Sequence, residues 1–219
     1  MTQRNANPTA ENPLIVDILG FDGADELDAI VPFEVLRFAQ SFGAPMQVRM
    51  VSCVPDKPIV FSQGLEVRPA KAIVPGEADI VIVPGGYWGP EHPVSLYTAC
   101  HTGHLAPTLR ALAALPNPPI FASVCTGSIA LAFVGIITSS TKATTHHSFR
   151  DAFESIAGVA PLRKRFVDDG GILSAGGISS GFDLSLHIIE RFFGKEMARQ
   201  CSEVVEYPMN RSMYPDDDE

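Results

Sequence analysis

The sequence predicts an α/β fold, with a doubly wound, mostly parallel sheet flanked by helices on both faces. Short apolar runs such as 14–19 and 78–83 are typical of buried parallel strands, and they alternate with segments of helical periodicity. Glycine or proline follows both runs directly, as is common where a strand enters a loop. The chain has 219 residues, of which 46% are hydrophobic, so it can bury the core of one large domain.

The first part of the chain is predicted to contain strands, one long helix and a hairpin. Apolar residues at helical spacing follow Asp25, and Pro32 stands in the first turn of that helix or at a kink. Gln63 and Gly64 mark the turn of the hairpin. In chain order these elements are a strand at 14–19, a helix at 25–42, a strand at 46–54, the hairpin at 59–68 and a strand at 78–83.

The second part begins with a longer, irregular stretch at 87–103 and then resumes the alternation. Asp169 to Gly171 mark a second hairpin turn, and Gly194 is typical of the residue that ends a helix. In chain order the elements are a helix at 105–115, a strand at 119–124, a helix at 128–134, a strand at 142–145, a helix at 148–156, the hairpin at 166–174, and helices at 178–193 and 195–205.

We predict one domain over 13–208, preceded by a disordered segment at 1–12 and followed by an acidic tail at 209–219. The net charge of −9 argues against nonspecific nucleic-acid binding. No apolar run approaches the roughly 18 residues that a membrane span needs, and the N-terminus lacks the apolar core of a signal peptide. The four cysteines show no CxxC or zinc-type spacing and no disulfide framework, as is typical of a reducing compartment. Taken with the charge and the absence of a long apolar run, this predicts a cytoplasmic protein without nucleic-acid or membrane partners.

The stretch FASVCTGS at 121–128 is the strongest chemical signal. An apolar strand stops at Cys125, and a helical segment follows within three residues. A thiol on such a turn stands at the positive end of the helix macrodipole, which predicts a lowered thiol pKa and a nucleophile. A buried cysteine that simply precedes an ordinary helix fits the turn equally well. Cys53 and Cys201 are expected to be structural core residues.

Two further signals follow predicted strands, at the sheet edge where sites lie in such folds. Asp28 is an acid followed by apolar residues early in the first helix, which favours a side chain that faces a site. Gly85 and Gly86 directly follow a strand, so their N–H groups either form an oxyanion hole or belong to a plain tight turn.

The chain resembles the ThiJ/PfpI (class I glutamine amidotransferase-like) superfamily, and most closely its isocyanide hydratase branch. The resemblance covers residues 14–208 in order and implies a flavodoxin-like sandwich. It rests on five motifs: FDGADELDAIVPFEVL at 21–36, DIVIVPGG at 79–86, SVCTGSIALAFVGI at 123–136, KATTHH at 142–147, and the block from ILSAGGISSGFDL at 172–184 to VVEYP at 204–208.

The resemblance implies roles for individual residues. Cys125 matches the nucleophile, and Asp28 matches the acid that hydrogen-bonds its thiolate. Thr126 matches the residue that supplies a backbone N–H and a hydroxyl near the substrate. Gly86, together with Gly85, matches a second anion-stabilising contact.

The resemblance also places His146 near the cysteine, where in the hydratase branch it is not the main base. Gly177 and Ile178 match a loop that packs over the site. Two departures affect the identity of the substrate: the stretch 87–103 is longer than expected and could reshape or cover the pocket, and His147 replaces the usual tryptophan.

The function implied is hydration of a small-molecule isocyanide to an N-substituted formamide, a lyase reaction. Cys125 would form a covalent intermediate and Asp28 would act as general acid and base, without any metal or organic cofactor. Two alternatives stay open: a glutathione-independent glyoxalase that uses His146 as a proton shuttle, and a redox or stress sensor in which Cys125 is oxidised.

The resemblance also implies a homodimer. Val31, Phe33 and Leu36 offer an apolar stripe for its interface, unless these side chains belong to the core.

Overall fold

The structure, a computed structural model, describes residues 7–208 and contains nine strands and seven α-helices in that range. The strands are β1 (Leu14–Gly20), β2 (Met46–Ser52), β3 (Ile59–Val60), β4 (Glu66–Val67), β5 (Lys71–Ala72), β6 (Ile80–Val83), β7 (Ile120–Ser123), β8 (Phe166–Asp168) and β9 (Ile172–Ala175). The helices are α1 (Glu26–Ser41), α2 (Leu96–His101), α3 (Leu105–Ala113), α4 (Gly127–Phe133), α5 (Arg150–Ala157), α6 (Ser180–Phe193) and α7 (Lys195–Val204), and a 3₁₀-helix spans His147–Phe149.

Seven strands form the main sheet, in the order β5-β2-β1-β6-β7-β9-β8. Every pairing in it is parallel except that of β8 with β9. The predicted α/β fold is therefore confirmed. Because β1, β6 and β7 are neighbours and run the same way, the loops that follow them meet at one edge of the sheet.

The helices form two packed groups, as a sheet covered on both faces requires. Helices α1, α6 and α7 contact one another, and α2, α3, α4 and α5 form the second group. Strands β3 and β4 pair as the predicted hairpin outside the main sheet. No helix within residues 7–208 is long and apolar enough to cross a bilayer.

Helix α1 begins with a side-chain cap and carries one proline inside it. The Asp25 carboxylate accepts the N–H of Leu27 at 3.1 Å, as expected of an N-cap. Pro32 lies in the second turn rather than the first. Val31 and Leu36 are buried within the core of the protomer, and Phe33 is partly buried and packs against that core, so the three do not form an exposed stripe.

The predicted strand at 142–145 is absent, and this prediction was wrong. Strand β9 is already paired on both edges, by β7 and by β8, so no ladder is open to this segment. It is held by other bonds instead: the N–H of Thr144 donates to the hydroxyl of Ser174 at 2.9 Å, and the carbonyl of Ala143 accepts the N–H of Leu162 at 2.8 Å.

Two further boundaries differ from the predictions. The stretch 87–103 is not wholly irregular, because it contains α2, whose first turn is fixed by a capping box between Ser95 and Thr98. Helix α6 starts at Ser180 and not at Ile178, since Ile178 has a φ of +32° that no helical residue adopts.

The chain ends lie partly outside the described residues. Residues 1–6 and the predicted acidic tail at 209–219 are not described. Between residues 7 and 12 there is no helix or strand, but Thr9 and Asn12 exchange two backbone hydrogen bonds.

A buried ionic network ties the C-terminal segment to the sheet. The Arg165 guanidinium donates to the Asp183 carboxylate at 2.8 Å and to the Tyr207 hydroxyl at 2.9 Å. The Tyr207 hydroxyl in turn donates to Asp183 at 2.8 Å. The side chains of Arg165 and Asp183 are only 7% and 4% exposed. Arg165 also bonds the Ser179 hydroxyl at 3.2 Å, so the network supports the loop that precedes α6.

Replacement of Asp183 by alanine should destabilise the fold by about 3–5 kcal/mol, because it leaves the Arg165 charge buried without its partner. Tyr207→Phe removes one hydroxyl and should cost about 2 kcal/mol. Urea unfolding followed by circular dichroism measures both. Equal losses in the two variants would contradict the assignment of Asp183 as the counter-charge.

Candidate active site

Cys125 lies at a strained turn between β7 and α4. Its φ of +60° is uncommon for a residue with a side chain, so the surroundings must hold it. The Cys125 N–H donates to the carbonyl of Gly176 at 2.8 Å, directly after β9. The hydroxyls of Ser128 and Thr145 both donate to the Cys125 carbonyl at 3.2 Å. The backbone of the predicted nucleophile is therefore fixed from both sides.

Asp28 lies in the first turn of α1 and is fully buried. Its Oδ2 accepts the N–H of Gly85 at 3.0 Å, while Oδ1 is buried without a hydrogen-bond partner among the described residues. Burial raises the pKa of this carboxyl well above its ordinary value, and the nearby charge of Asp25 raises it further. Hydrogen bonds from Gly85 and from the Cys125 thiol oppose the shift. The Asp28 carboxyl and the Cys125 thiol are therefore close enough for each to shift the pKa of the other.

Gly85 permits this arrangement by lacking a side chain. A Cβ atom there would stand 2.6 Å from the Thr126 hydroxyl oxygen and 2.8 Å from Asp28 Oδ2, which is closer than such atoms approach. The absence of a side chain at Gly85 therefore allows Asp28 and Thr126 to pack against the end of β6.

The expected oxyanion hole at Gly85 and Gly86 is not found. The Gly85 N–H is committed to Asp28, and the Gly86 N–H donates to the Thr126 hydroxyl at 2.9 Å. That hydroxyl donates back to the Gly86 carbonyl at 2.6 Å. The two glycines orient Asp28 and Thr126, and they do not present free donors. The backbone N–H groups directed at the Cys125 sulfur are those of Thr126 and Ile178.

The predicted lowering of the Cys125 pKa was wrong. Burial raises the pKa of this thiol well above its ordinary value, and the Asp28 carboxylate raises it further by like-charge repulsion. The hydrogen bonds from Thr126 and Ile178 lower the pKa but do not reverse the shift. Helix α4 has seven residues, and the thiol is only 7% exposed, so desolvation outweighs the helix macrodipole.

The loop over the site brings Gly177 and Ile178 to the cysteine, and His146 packs behind it. A Cβ at Gly177 would lie 2.4 Å from Cδ2 of His146, so the ring rests directly on this backbone. His146 Nδ1 accepts the N–H of Ser148 at 3.2 Å, and among the described residues no hydrogen bond joins the ring to Cys125 or Asp28. Burial, together with the nearby His147, lowers the pKa of His146.

The inserted stretch 87–103 packs against the back of the nucleophile helix. The rings of Trp88 and His101 lie 5.9 Å and 4.6 Å from that of Phe133 on α4. At its other end Tyr87 lies 5.9 Å from Phe149, whose ring is 5.9 Å from that of His146. The insertion therefore supports α4 and extends along the His146 side of the site.

Among residues 7–208, no carboxyl group contributes to the pKa shifts of the other three cysteines, unlike that of Cys125. Burial raises the pKa of Cys53 and Cys201 to about 11 and that of Cys100 to about 12. Cys201 is buried as predicted, whereas Cys53 is half-buried and lines a cavity of about 290 Å³ at the ends of β1 and β2.

Sequence reasoning missed several neighbours of the site. Thr145 and Gly176 act through single backbone-directed bonds, for which no composition signal exists. It also missed a group of basic side chains near His146, although the run Arg163-Lys164-Arg165 is visible in the sequence.

The model of the DJ-1/PfpI family matches residues 15–191. The chain belongs to the DJ-1/PfpI family. Among curated relatives it is 27% identical over 195 residues to an isonitrile hydratase of Pseudomonas putida, covering 89% of this chain and 78% of that protein. It is 24% identical over 182 residues to a Parkinson disease protein 7 homolog of Danio rerio, covering 81% and 89%.

Solved structures of the DJ-1/PfpI type share the fold. A ThiJ/PfpI family protein from Pseudomonas syringae superposes with a TM-score of 0.73 at 24% identity, covering 94% of this chain and 78% of that one. Oxidised DJ-1 of Toxoplasma gondii gives a TM-score of 0.70 at 23% identity, covering 89% and 98%. Both structural similarities therefore cover most of this chain.

The alkylation rate of Cys125 by iodoacetamide should rise about tenfold per pH unit from about pH 6 to about pH 9, since only the thiolate reacts. Because the pKa of the thiol is raised, the fraction of thiolate keeps increasing with pH across this range, and the alkylation rate should reach no plateau. Peptide mapping by mass spectrometry follows the site, with Cys125→Ala as the background. A plateau below about pH 7 would show a stabilised thiolate and contradict the shift.

Proposed function

We propose that the protein hydrates isocyanides to N-substituted formamides, with Cys125 as the nucleophile and Asp28 as the general acid and base. The observation that carries the proposal is the buried contact between the thiol and a carboxyl whose raised pKa makes it a competent base. The similarity to the isonitrile hydratase of Pseudomonas putida, over 89% of this chain, supports the choice of substrate.

In the first step the terminal isocyanide carbon accepts the sulfur of Cys125. The thiol proton passes to Asp28 as the carbon–sulfur bond forms, and Asp28 then delivers it to the same carbon. The product is a thioimidate, in which the former isocyanide carbon carries one hydrogen, the sulfur and a double bond to nitrogen. The raised Asp28 pKa favours both transfers, because the carboxylate takes the proton readily and the neutral acid is stable when buried.

In the second step a water molecule adds to the thioimidate carbon. Asp28 accepts one water proton and passes it to the nitrogen, so that the carbon holds the new hydroxyl group. The carbon–sulfur bond then breaks, its electron pair stays on the sulfur, and the hydroxyl proton returns to the sulfur. A formamide leaves and the free thiol is restored, with water as the sole co-reactant.

The backbone around the sulfur would assist both steps. The N–H groups of Thr126 and Ile178 are directed at the sulfur and stabilise the negative charge that develops as the proton leaves. Gly85 and Gly86 act indirectly, since they fix the Asp28 carboxyl and the Thr126 hydroxyl. Gly177 carries Ile178 into place and separates the site from His146.

The position of His146 favours hydration over a glyoxalase reaction. Moving a proton between two adjacent carbons is helped by a second acid–base group near the cysteine, as a shuttling histidine would provide. Here Nδ1 of His146 is committed to the Ser148 N–H, and the acid–base group in contact with the thiol is Asp28. A single carboxyl is sufficient for the two steps of isocyanide hydration.

A substrate panel tests the reaction class. Purified protein and Cys125→Ala are each given an aryl isocyanide, methylglyoxal and a peptide. Formamide produced by the first protein and not by the variant supports the proposal. Turnover of methylglyoxal alone would replace it with the glyoxalase reaction, and no turnover of any substrate would favour a sensor whose thiol is oxidised.

Replacement of Asp28 by asparagine should lower kcat/KM for the isocyanide about 10²–10⁴-fold, the usual loss when a general acid–base group is removed. His146→Ala should lose far less, because that ring does not bond the thiol or the carboxyl. Steady-state formamide production measures both, with alkylation of Cys125 as a check that the site is intact. The reverse order of the two losses would refute the proposed roles.

We also propose a cytoplasmic homodimer. The dimer is supported by the family resemblance alone, since Val31 and Leu36 lie in the core and Phe33 packs against it. Cytoplasmic location is supported by the four cysteines, which are unpaired within residues 7–208, as expected in a reducing compartment.

Multi-angle light scattering at micromolar concentration should give a mass near twice the 23.5 kDa of the chain. The mass should be independent of dilution over the range in which a stable dimer persists. A mass near that of one chain throughout would exclude the dimer.

A further inference from the structure

Two exposed apolar side chains adjoin the residues that surround Cys125. Tyr87 directly follows Gly86, whose N–H donates to the hydroxyl of Thr126, the residue after the cysteine. Ile178 lies on the loop over the site, and its N–H is directed at the Cys125 sulfur. The side chains of Tyr87 and Ile178 are 38% and 37% exposed. Exposed apolar groups beside a reactive residue are available to a ligand.

A series of aromatic rings connects these two places. The Tyr87 ring lies 5.9 Å from that of Phe149 at an interplanar angle of 87°, and the Phe149 ring lies 5.9 Å from that of His146 at 61°. The His146 ring rests on the backbone of Gly177, next to Ile178. The rings therefore extend from one neighbour of the nucleophile to another, and they form one wall of the entrance to the thiol.

The rings of this wall are fixed by contacts of their own. The Tyr87 hydroxyl donates to Glu91 Oε1 at 2.5 Å, and the Tyr87 ring lies 3.9 Å from that of His92. Phe149 is partly buried against the core, and its N–H donates to the His146 carbonyl at 3.0 Å. A ligand that packs on rings already held in place pays little for ordering them.

The geometry of the wall favours an aromatic ligand. Aromatic rings attract one another in edge-to-face and offset-stacked arrangements, and the pair of Tyr87 and Phe149 is edge-to-face. A ring supplied by a ligand would extend this series. A saturated ring of the same size would bury a similar apolar area, but it would lack the attraction between ring edges and ring faces.

We propose that Tyr87 and Phe149, with Ile178 from the loop over the site, bind the nitrogen substituent of the isocyanide and select an aromatic substituent over a saturated one of the same size. The substrate class is then that of aryl isocyanides, and this identification rests on the proposed hydration. The isocyanide group is short and linear, so its substituent lies at the entrance while the terminal carbon is at the buried sulfur. Tyr87 gives the inserted stretch 87–103 a part in this selectivity.

Phenyl isocyanide and cyclohexyl isocyanide test the selectivity, since they match in size and differ in aromaticity. Their intrinsic reactivities differ, but that difference is common to every variant, so a change in the ratio of their kcat/KM values reports on the wall. Tyr87→Leu and Phe149→Leu, which keep apolar bulk, should each lower the phenyl-to-cyclohexyl ratio about two- to tenfold, the usual worth of one aromatic contact. A purely structural role would slow both substrates alike and leave the ratio unchanged.

Two control variants are matched to Tyr87→Leu. Tyr87→Phe removes the bond to Glu91 and keeps the ring, so it should retain the ratio. Phe42→Leu removes an exposed ring just past the far end of α1, roughly 20 Å along the helix from Asp28, and should leave the ratio unchanged. A loss in Tyr87→Phe equal to that in Tyr87→Leu would show that the hydroxyl acts, and it would overturn the role of the ring.

A second measurement does not depend on turnover. N-phenylmaleimide and N-cyclohexylmaleimide alkylate the thiol of Cys125, and each rate is divided by the rate of the same reagent with glutathione. The protein should favour the phenyl reagent, and the preference should fall in Tyr87→Leu and Phe149→Leu but not in Phe42→Leu. The exposed position of Tyr87 makes that variant informative even where Phe149→Leu is poorly folded.

The two measurements separate the failures. A preference for N-phenylmaleimide that falls in Tyr87→Leu, without any isocyanide turnover, supports the aromatic wall and overturns the hydration. Turnover with a phenyl-to-cyclohexyl ratio that neither Tyr87→Leu nor Phe149→Leu changes overturns the wall alone. Equal labelling of the unmodified protein by the two maleimides, after division by the glutathione rates, likewise overturns it.

Discussion

The contact between the Asp28 carboxyl and the Cys125 thiol is the constraint on which the rest of the site depends. Both groups are buried, and in a medium of low dielectric two negative charges in contact are prohibitively unfavourable. The pair therefore shares protons, and its chemistry is proton transfer between sulfur and oxygen. A stored thiolate is not compatible with this arrangement. Gly85 allows Asp28 and Thr126 to pack closely at the end of β6, because a Cβ atom there would stand 2.8 Å from Asp28 Oδ2 and 2.6 Å from the Thr126 hydroxyl oxygen.

The fold supplies the pair from three neighbouring strands. Helix α1 follows β1 and is started by the Asp25 cap, which sets Asp28 in the first turn, facing inward. The end of β6 supplies Gly85, and the end of β7 supplies Cys125. Within the site, Cys125 and Ile178 have strained backbone conformations, with φ values of +60° and +32°. The strain at Cys125 is offset by hydrogen bonds from β9 and from the 142–145 segment, so the functional geometry depends on the sheet as a whole.

The order of elements could be predicted because each depends on local pattern, whereas the failures came from properties that only the folded chain has. The segment 142–145 contains two β-branched threonines, as is typical of a strand, but β9 had no free edge to receive it. The sign of the Cys125 pKa shift depends on burial, which outweighs a short helix and which no motif reveals. Gly85 and Gly86 were rightly placed beside the site, but their N–H groups could be assigned only once Asp28 and Thr126 were seen to accept them.

The loop that carries Gly177 and Ile178 keeps a second titratable group away from the reacting pair. A positive charge in contact with Cys125 would favour the thiolate, and in contact with Asp28 it would favour the carboxylate, so either contact would undo the proton sharing. His146 packs against the Gly177 backbone, and among the described residues its ring forms no hydrogen bond to the thiol or the carboxyl. Burial lowers the pKa of His146, which keeps the ring neutral at physiological pH. The transfer of one proton between the sulfur and the carboxyl is therefore not opposed by a charged histidine beside the loop.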